Sequence, residues 1–336
     1  MLHERPWWLR TLIAAGPFLA LILLWIGFAL AVWLKADPTD DLANPWAFVA
    51  WKNQCLILAQ SAIVTIGACG IVMVMISGGI DLSLGSVIAL SGVVGAMTLN
   101  QFGPVAGICA ALLTGAAAGA FNGGLVALTG ITPFIVTLGT LGIARGMAKG
   151  LADNQTINTP PTWLDPLMRP FPGPSDPAWL TGFPIAPGVV IAALVALAVG
   201  LLLRKSVFGR HLYAIGSNPA AARLCGLRVK TSTVAVYALC GLLIGLAGLL
   251  EQAKLHQGDP TTAVGRELDI IAAAVIGGAS LSGGVGTALG AVIGALLMGV
   301  LRNGSQLLEW PTWVQEIIIG AVIVVAVGVD RLRARR

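Results

Sequence analysis

Apolar runs of bilayer length follow one another along almost the whole chain, and no other feature restricts the fold as much. From Thr11 to Leu34 there is no charged residue. A helix rising about 1.5 Å per residue needs about 20 apolar residues to cross about 30 Å of hydrocarbon. Further runs predict spans near 54–76, 84–100, 104–128, 131–150, 186–203, 232–252, 268–281, 285–301 and 313–329. Of 336 residues, 57% are hydrophobic and 10% charged, against about 25% charged in a soluble domain. The chain therefore reads as an all-α, polytopic helical membrane protein with about ten transmembrane helices. The first run exceeds the 7–15 residues of a typical signal core, and no small-x-small cleavage site follows it, so it reads as a retained helix.

The charges give an orientation. The net charge is +5, and its distribution speaks for topology, not for nucleic acid. Residues 204–230 (RKSVFGRHLYAIGSNPAAARLCGLRVK) form a basic island with no acidic residue between two apolar runs. Placing both termini and this island in the cytoplasm puts 12 of the 20 Lys and Arg there: Arg5, Arg10, six in the island, Arg331, Arg333, Arg335 and Arg336. Acids such as Asp37, Asp40, Asp153, Asp165, Asp259, Glu267, Asp269 and Glu309 then fall in or beside outer loops, as the positive-inside rule requires. Eight prolines between Pro160 and Pro184 predict an irregular external loop over 151–184, with Trp163 and Trp179 at headgroup level.

An internal repeat is visible. Gly78-Gly79-Ile80-Asp81-Leu82-Ser83-Leu84-Gly85 recurs 199 residues later as Gly277-Gly278-Ala279-Ser280-Leu281-Ser282-Gly283-Gly284. Each copy closes one apolar run and opens another, an arrangement of interrupted helices in matching halves that transporters use. The glycine-rich links at 77–84 and 281–285 also admit re-entrant turns. Runs rich in small residues, 114–124 and 284–299, allow helix backbones to approach closely. The five cysteines sit mostly in or beside apolar runs without metal-ligand spacing, and His3, His211 and His256 lie far apart.

Three segments, ISGGIDLSLGSVIALSG (76–92), AIGSNPAAARLCGLRV (214–229) and ELDIIAAAVIGGASLSGGVGT (267–287), resemble the permease subunits of bacterial sugar ABC importers, the ribose/xylose/galactose group. The resemblance keeps motif order over nearly the whole chain. It implies a single permease domain over 1–336 in the inner membrane, a periplasmic loop at 151–184, and a cytoplasmic loop at 204–230 carrying the helix that couples to the ATPase. Asn218, Pro219, Ala220, Ala221, Ala222, Arg223, Leu224, Cys225 and Gly226 would form that coupling helix. Local chemistry agrees: Asn218 is a competent N-cap, Pro219 suits the first helical position, the alanines favour helix, and Gly226 suits a stop. Relatives often place one or two acids after the Asn; Pro219 and Ala220 offer no carboxylate there.

No G-x-x-x-x-G-K-[ST] is present, so this chain is expected to bind no cofactor, and ATP with its Mg belongs to a partner. The implied partners are a second permease copy or paralogue, a cytoplasmic ATP-binding subunit, a periplasmic sugar-binding protein and membrane lipid, with no nucleic acid. Gly78, Gly79, Asp81, Ser83, Gly277, Gly278 and Ser282 are expected to form structural or gating turns, Asp81 by capping the helix that follows. Arg145 either snorkels outward or pairs with an acid such as Asp269. Asn122, Thr132, Thr137, Thr140 and Asn303 are the candidate pathway residues, set against a plain role in interhelical hydrogen bonds. An ion-coupled secondary transporter of a small polar solute is the alternative, and a membrane scaffold or receptor subunit a third reading.

Overall fold

A computed structural model describes residues 7–36, 44–170 and 185–334; Arg5, Trp179, Arg335 and Arg336 lie outside the described residues. Helix α1 covers Trp7–Lys35, α2 Trp51–Ile76, α3 Leu84–Phe102, α4 Pro104–Thr129, α5 Pro133–Leu151 and α6 Pro187–Lys205. Then come α7 Val207–Ser217, α8 Pro219–Leu224, α9 Val229–Leu255, α10 Arg266–Ile276, α11 Ala288–Leu307 and α12 Thr312–Ala334. Two short strands, β1 (Ile157–Asn158) and β2 (Gln257–Gly258), pair antiparallel and tie the loop after α5 to the end of α9.

Seven of these helices are long and apolar enough to cross a membrane: α1 (over Gly16–Lys35), α2, α3, α4, α6, α9 and α11. The protein is an all-α multi-pass membrane protein. The sequence-based expectation of about ten spans is not met by these criteria. The eighth expected span, 268–281, is the 11-residue α10, only about 16 Å long at 1.5 Å per residue. It ends because residues 277–287 form an irregular link.

The repeat is matched only locally. Both α2 and α10 end on a left-handed glycine, Gly78 (φ 84°) and Gly278 (φ 92°). In each the next residue's N–H reaches back five residues (Gly79 to Val74 O, 2.9 Å; Ala279 to Ala274 O, 3.0 Å), a Schellman stop. These caps align at an offset of 200 residues, one more than the sequence repeat. Beyond them the halves diverge: Leu82 and Ser83 lead at once into α3, whereas a longer loop precedes α11.

Helix α2 lies at the centre and is buried on all sides over residues 61–76, as a helix without a polar face should be. Helix α9 packs beside it and makes its most extensive contact with α4. The reason is a ridge of small residues. Gly115 and Gly119 of α4 face Gly241 and Gly245 of α9 so closely that a methyl on Gly241 would stand 2.9 Å from the Gly119 nitrogen. Dispersion and main-chain contact replace the hydrophobic effect between helices in lipid. Gly241→Ala is therefore expected to destabilise the protein by about 1–3 kcal/mol through overpacking. Gly124→Ala, on the same α4 but with nothing within 4 Å, should gain up to about 1 kcal/mol of helix propensity. Melting of the two variants in detergent would show the opposite signs.

At the opposite end from α8, Lys35 Nζ stands 2.8 Å from Glu309 Oε2 and also donates to Leu308 O. That hydrogen bond and charge hold the Glu309 carboxyl below the usual carboxylate range. A depressed carboxylate stabilises above its unfolded pKa and loses the contribution as pH falls through its folded pKa. The melting difference between wild type and Glu309→Gln should thus be small, since the pair is exposed, and should vanish as pH falls through the carboxylate range.

Candidate functional site

The basic island folds into two helices, not the single short one expected. Ser206 caps α7 by accepting from Gly209 N (2.9 Å), and α7 buries Gly209, Leu212 and Ile215 on one face. One residue separates α7 from α8. Asn218 Oδ1 accepts from Ala220 N and Ala221 N, both at 3.0 Å, and Pro219 occupies the first turn. Gly226 (φ 82°) closes α8 with the same Schellman bonds (Leu227 N to Ala222 O, 3.1 Å). Ala222 is buried against the body of the protein, while Pro219, Ala220, Ala221, Arg223, Leu224 and Cys225 are exposed. Leu224 is 90% exposed.

Behind α8 lies a junction made almost wholly of main chain. Gly216, near the end of α7, touches the carbonyl oxygen of Ile76 at the end of α2; a methyl there would penetrate that oxygen and stand 2.6 Å from Gly284 N. Gly284 N–H donates to the same Ile76 oxygen at 2.9 Å. A methyl on Gly283 would come within 2.8 Å of the Gly216 oxygen and 3.1 Å of Gly78 Cα. The two glycine-rich turns, 200 residues apart, thus meet each other and the helix that carries α8.

The chain has two tyrosines, and each secures one of these turns. Tyr213 of α7 donates to Gly286 O (2.8 Å), and Tyr237 of α9 donates to Ile80 O (3.0 Å). Sequence reading passed over Gly216, Gly283, Gly284 and both tyrosines as functional residues. The scarcity of tyrosine in an apolar chain was the available signal, because a buried phenol needs a hydrogen-bond partner.

From the first turn a buried polar network runs inward. Asp81 Oδ1 accepts from Ser83 N (2.8 Å) and Ser83 Oγ (2.6 Å), and Asn122 Nδ2 of α4 donates to Ser83 Oγ (3.0 Å) and, at 3.4 Å, to Asp81 Oδ2. Thr140 of α5 donates to Asn122 Oδ1 (2.6 Å). Asp81 is therefore not a helix cap as expected. It closes a two-residue turn onto Ser83 and joins the α2–α3 link to α4 and α5. The cavity beside Asp81, Ser83, Gly119 and Gly241, at about 10 Å³, has room for at most one water.

The other candidates are dispersed. Thr137 Oγ1 donates to Pro133 O (2.9 Å) within its own helix, and Thr132 is exposed before α5. Asn303 of α11 exchanges hydrogen bonds of 2.9 Å with Asn53 of α2, far from Asn122. Gly277 packs on Gly290, and Ser282 N donates to Ser280 Oγ (3.2 Å). Arg145 does not pair with Asp269. It donates to the carbonyls of Pro260 (2.9 Å) and Thr262 (2.7 Å), and Arg302 takes Asp269 at 2.6 Å. Among the described residues no group of three His, Cys, Asp or Glu is placed to hold a metal ion, and all five cysteines are free.

A family model described as the permease component of the branched-chain amino acid transport system matches residues 55–327. The ribose import permease protein RbsC of Escherichia coli K12 is 39% identical over 291 residues, covering 84% of this chain and 87% of its own. Its namesake in Bacillus subtilis is 37% identical over 320 residues (95% and 93%). The L-arabinose ABC transporter permease protein AraH of Azospirillum brasilense is 36% identical over 306 residues (90% and 86%). No solved structure matches the chain. With likeness over nearly its full length and a fold of long apolar helices, the chain belongs to the permease components of bacterial sugar-type ABC importers.

Proposed function

We propose that α8 is the point at which a cytoplasmic ATPase drives this permease, and that the glycine junction carries the movement into the bundle. The observation that supports this is the placement of Gly216: α8 is joined through a single residue, Asn218, to a helix end that touches both glycine turns by main chain. Close-packed contacts shift as units instead of deforming gradually, so a push on α8 displaces the ends of α2 and of the 283–286 link together. The Asp81 network then passes the shift to α4 and α5.

The cargo is an aldose, by analogy with relatives named for ribose, arabinose, xylose and allose. The working assembly has two permease chains, identical or paralogous, with an ATP-binding subunit at α8 and a sugar-binding protein at the far face. In the membrane, α5, α10 with its link, and α12 join the seven long helices as crossings, giving ten and leaving both termini cytoplasmic. Helix α5 supports this count: Thr140, in its first half, meets Asn122 in the C-terminal half of α4, and β1, beyond the C-terminal end of α5, pairs with β2 after α9.

The test is sugar uptake into liposomes holding the permease, the ATPase subunit and the binding protein. Accumulation should stop when ATP or the ATPase is withheld and persist when the membrane potential is collapsed. Uptake by the permease alone, or uptake abolished by collapsing the potential while ATP is present, would instead mark an ion-coupled carrier.

A further inference from the structure

Away from α8, where α2, α9, α10 and α11 meet, the structure holds a polar cleft of about 90 Å³. Gln60, Lys254, Arg266, Asp269, Arg302 and Gln306 line it over an apolar floor of Val64 and Met298. Asp269 is 1% exposed, in the first turn of α10, with Arg302 Nη2 2.6 Å from its Oδ2. Its Oδ1 and the Arg302 Nε are buried without a hydrogen-bond partner. An unsatisfied buried polar atom costs about 1–3 kcal/mol, so these two atoms point to a molecule that completes them.

The groups lining the cleft narrow down what that molecule is. An anion would face the Asp269 oxygen, and a cation would face Lys254, Arg266 and Arg302. The charges are largely matched already, Arg302 by Asp269 and Lys254 by Glu251 at 3.9 Å. A hydroxyl both donates and accepts; it can give to Asp269, take from Arg302, and do either with the amides of Gln60 and Gln306. The volume holds about three waters at ~30 Å³ each, which three adjacent hydroxyls on one edge of a sugar ring can replace. Such exchange nets only about 1 kcal/mol per bond, so a sugar held there is readily released.

We propose that this cleft is a hydroxyl-recognition station on the sugar path, in which one edge of an aldose bridges the Asp269–Arg302 pair and the Gln60 and Gln306 amides. The proposal rests on the importer reading above and adds the residues that sort one aldose from another.

The experiment uses the full complex in liposomes with radiolabelled D-ribose, L-arabinose, D-xylose and D-allose, each delivered at saturating loaded binding protein. Sugar accumulated per ATP hydrolysed should fall about tenfold in Asp269→Asn, equivalent to about 1.4 kcal/mol. In Gln60→Leu and Gln306→Leu it should fall less and unequally across the four sugars, with Gln60→Glu restoring most of the loss. Gln60 and Gln306 are not buried, so their variants carry the test even if Asp269→Asn fails to fold. Sugar-to-ATP ratios within about twofold of wild type in both glutamine variants, with an unchanged ranking of sugars, would show a cleft that holds water only. Wild-type uptake that needs no ATPase would defeat the importer reading instead, and is told apart because it requires no variant.

Discussion

Gly216→Ala is expected to lower ATP-driven sugar uptake by at least about tenfold while leaving the exposed face of α8 intact. The added methyl would have to share space with the Ile76 carbonyl oxygen and Gly284 N. No flexible side chain is present to yield, so α7 must lift away from α2 or the 283–286 link must shift. Overpacking of this kind costs about 1–3 kcal/mol, more than the ~1 kcal/mol of helix propensity that alanine gains over glycine. Because Gly216 sits between α8 and the two glycine turns, the displacement falls on the contact proposed to transmit movement. ATP hydrolysis by the docked ATPase should continue while uptake falls. Gly142→Ala, with nothing within 4 Å, is the matched control and should transport as wild type. Wild-type uptake in Gly216→Ala would remove the junction from the transmission path.

Much of this was legible in the sequence, and the reasons are local. Bilayer-length apolar runs specify helices because an unsatisfied backbone is too costly in lipid, and α2, α3, α4, α6, α9 and α11 lie close to their expected ranges. Asn218, Pro219 and Gly226 specified α8 because caps and stops depend on a few adjacent residues. What failed to show was long-range. That Arg302 takes Asp269, and that Arg145 turns to the Pro260 and Thr262 carbonyls, depends on helices brought together from distant parts of the chain. Helix α7 was missed because its buried face, Gly209, Leu212 and Ile215, is short and embedded among basic residues. The offset of 199 residues between the motif copies concealed caps that align at 200, since two successive glycines allow either to take the left-handed position.

Leu224→Asp should have the second large effect, and by a different route. The side chain is 90% exposed on a helix whose Ala222 is buried, so α8 is fixed to the bundle on one side and presents an apolar contact on the other. Burying a leucine contributes about 1.5–3 kcal/mol, which corresponds to roughly a 10- to 150-fold change in affinity; a carboxylate in the same place adds a desolvation penalty. Binding of the ATPase subunit to the detergent-solubilised permease should weaken by at least about tenfold, and uptake should fall with it. The melting temperature should stay that of wild type, because Leu224 contributes almost nothing to the isolated fold. Asn218→Ala acts on the same helix more gently. It removes the acceptor for Ala220 N and Ala221 N, worth about 1 kcal/mol, in a helix of six residues that is too short to persist without its cap. Coupling should weaken several-fold and recover with Asn218→Asp, which restores an acceptor. Normal ATPase binding in Leu224→Asp would mean that the motor grips the permease elsewhere, and the exposed leucine would then need another occupant. A graded series, from a lost cap to a buried charge, separates a helix that only fixes topology from one that bears force: the first tolerates both changes, the second fails in proportion to the contact removed.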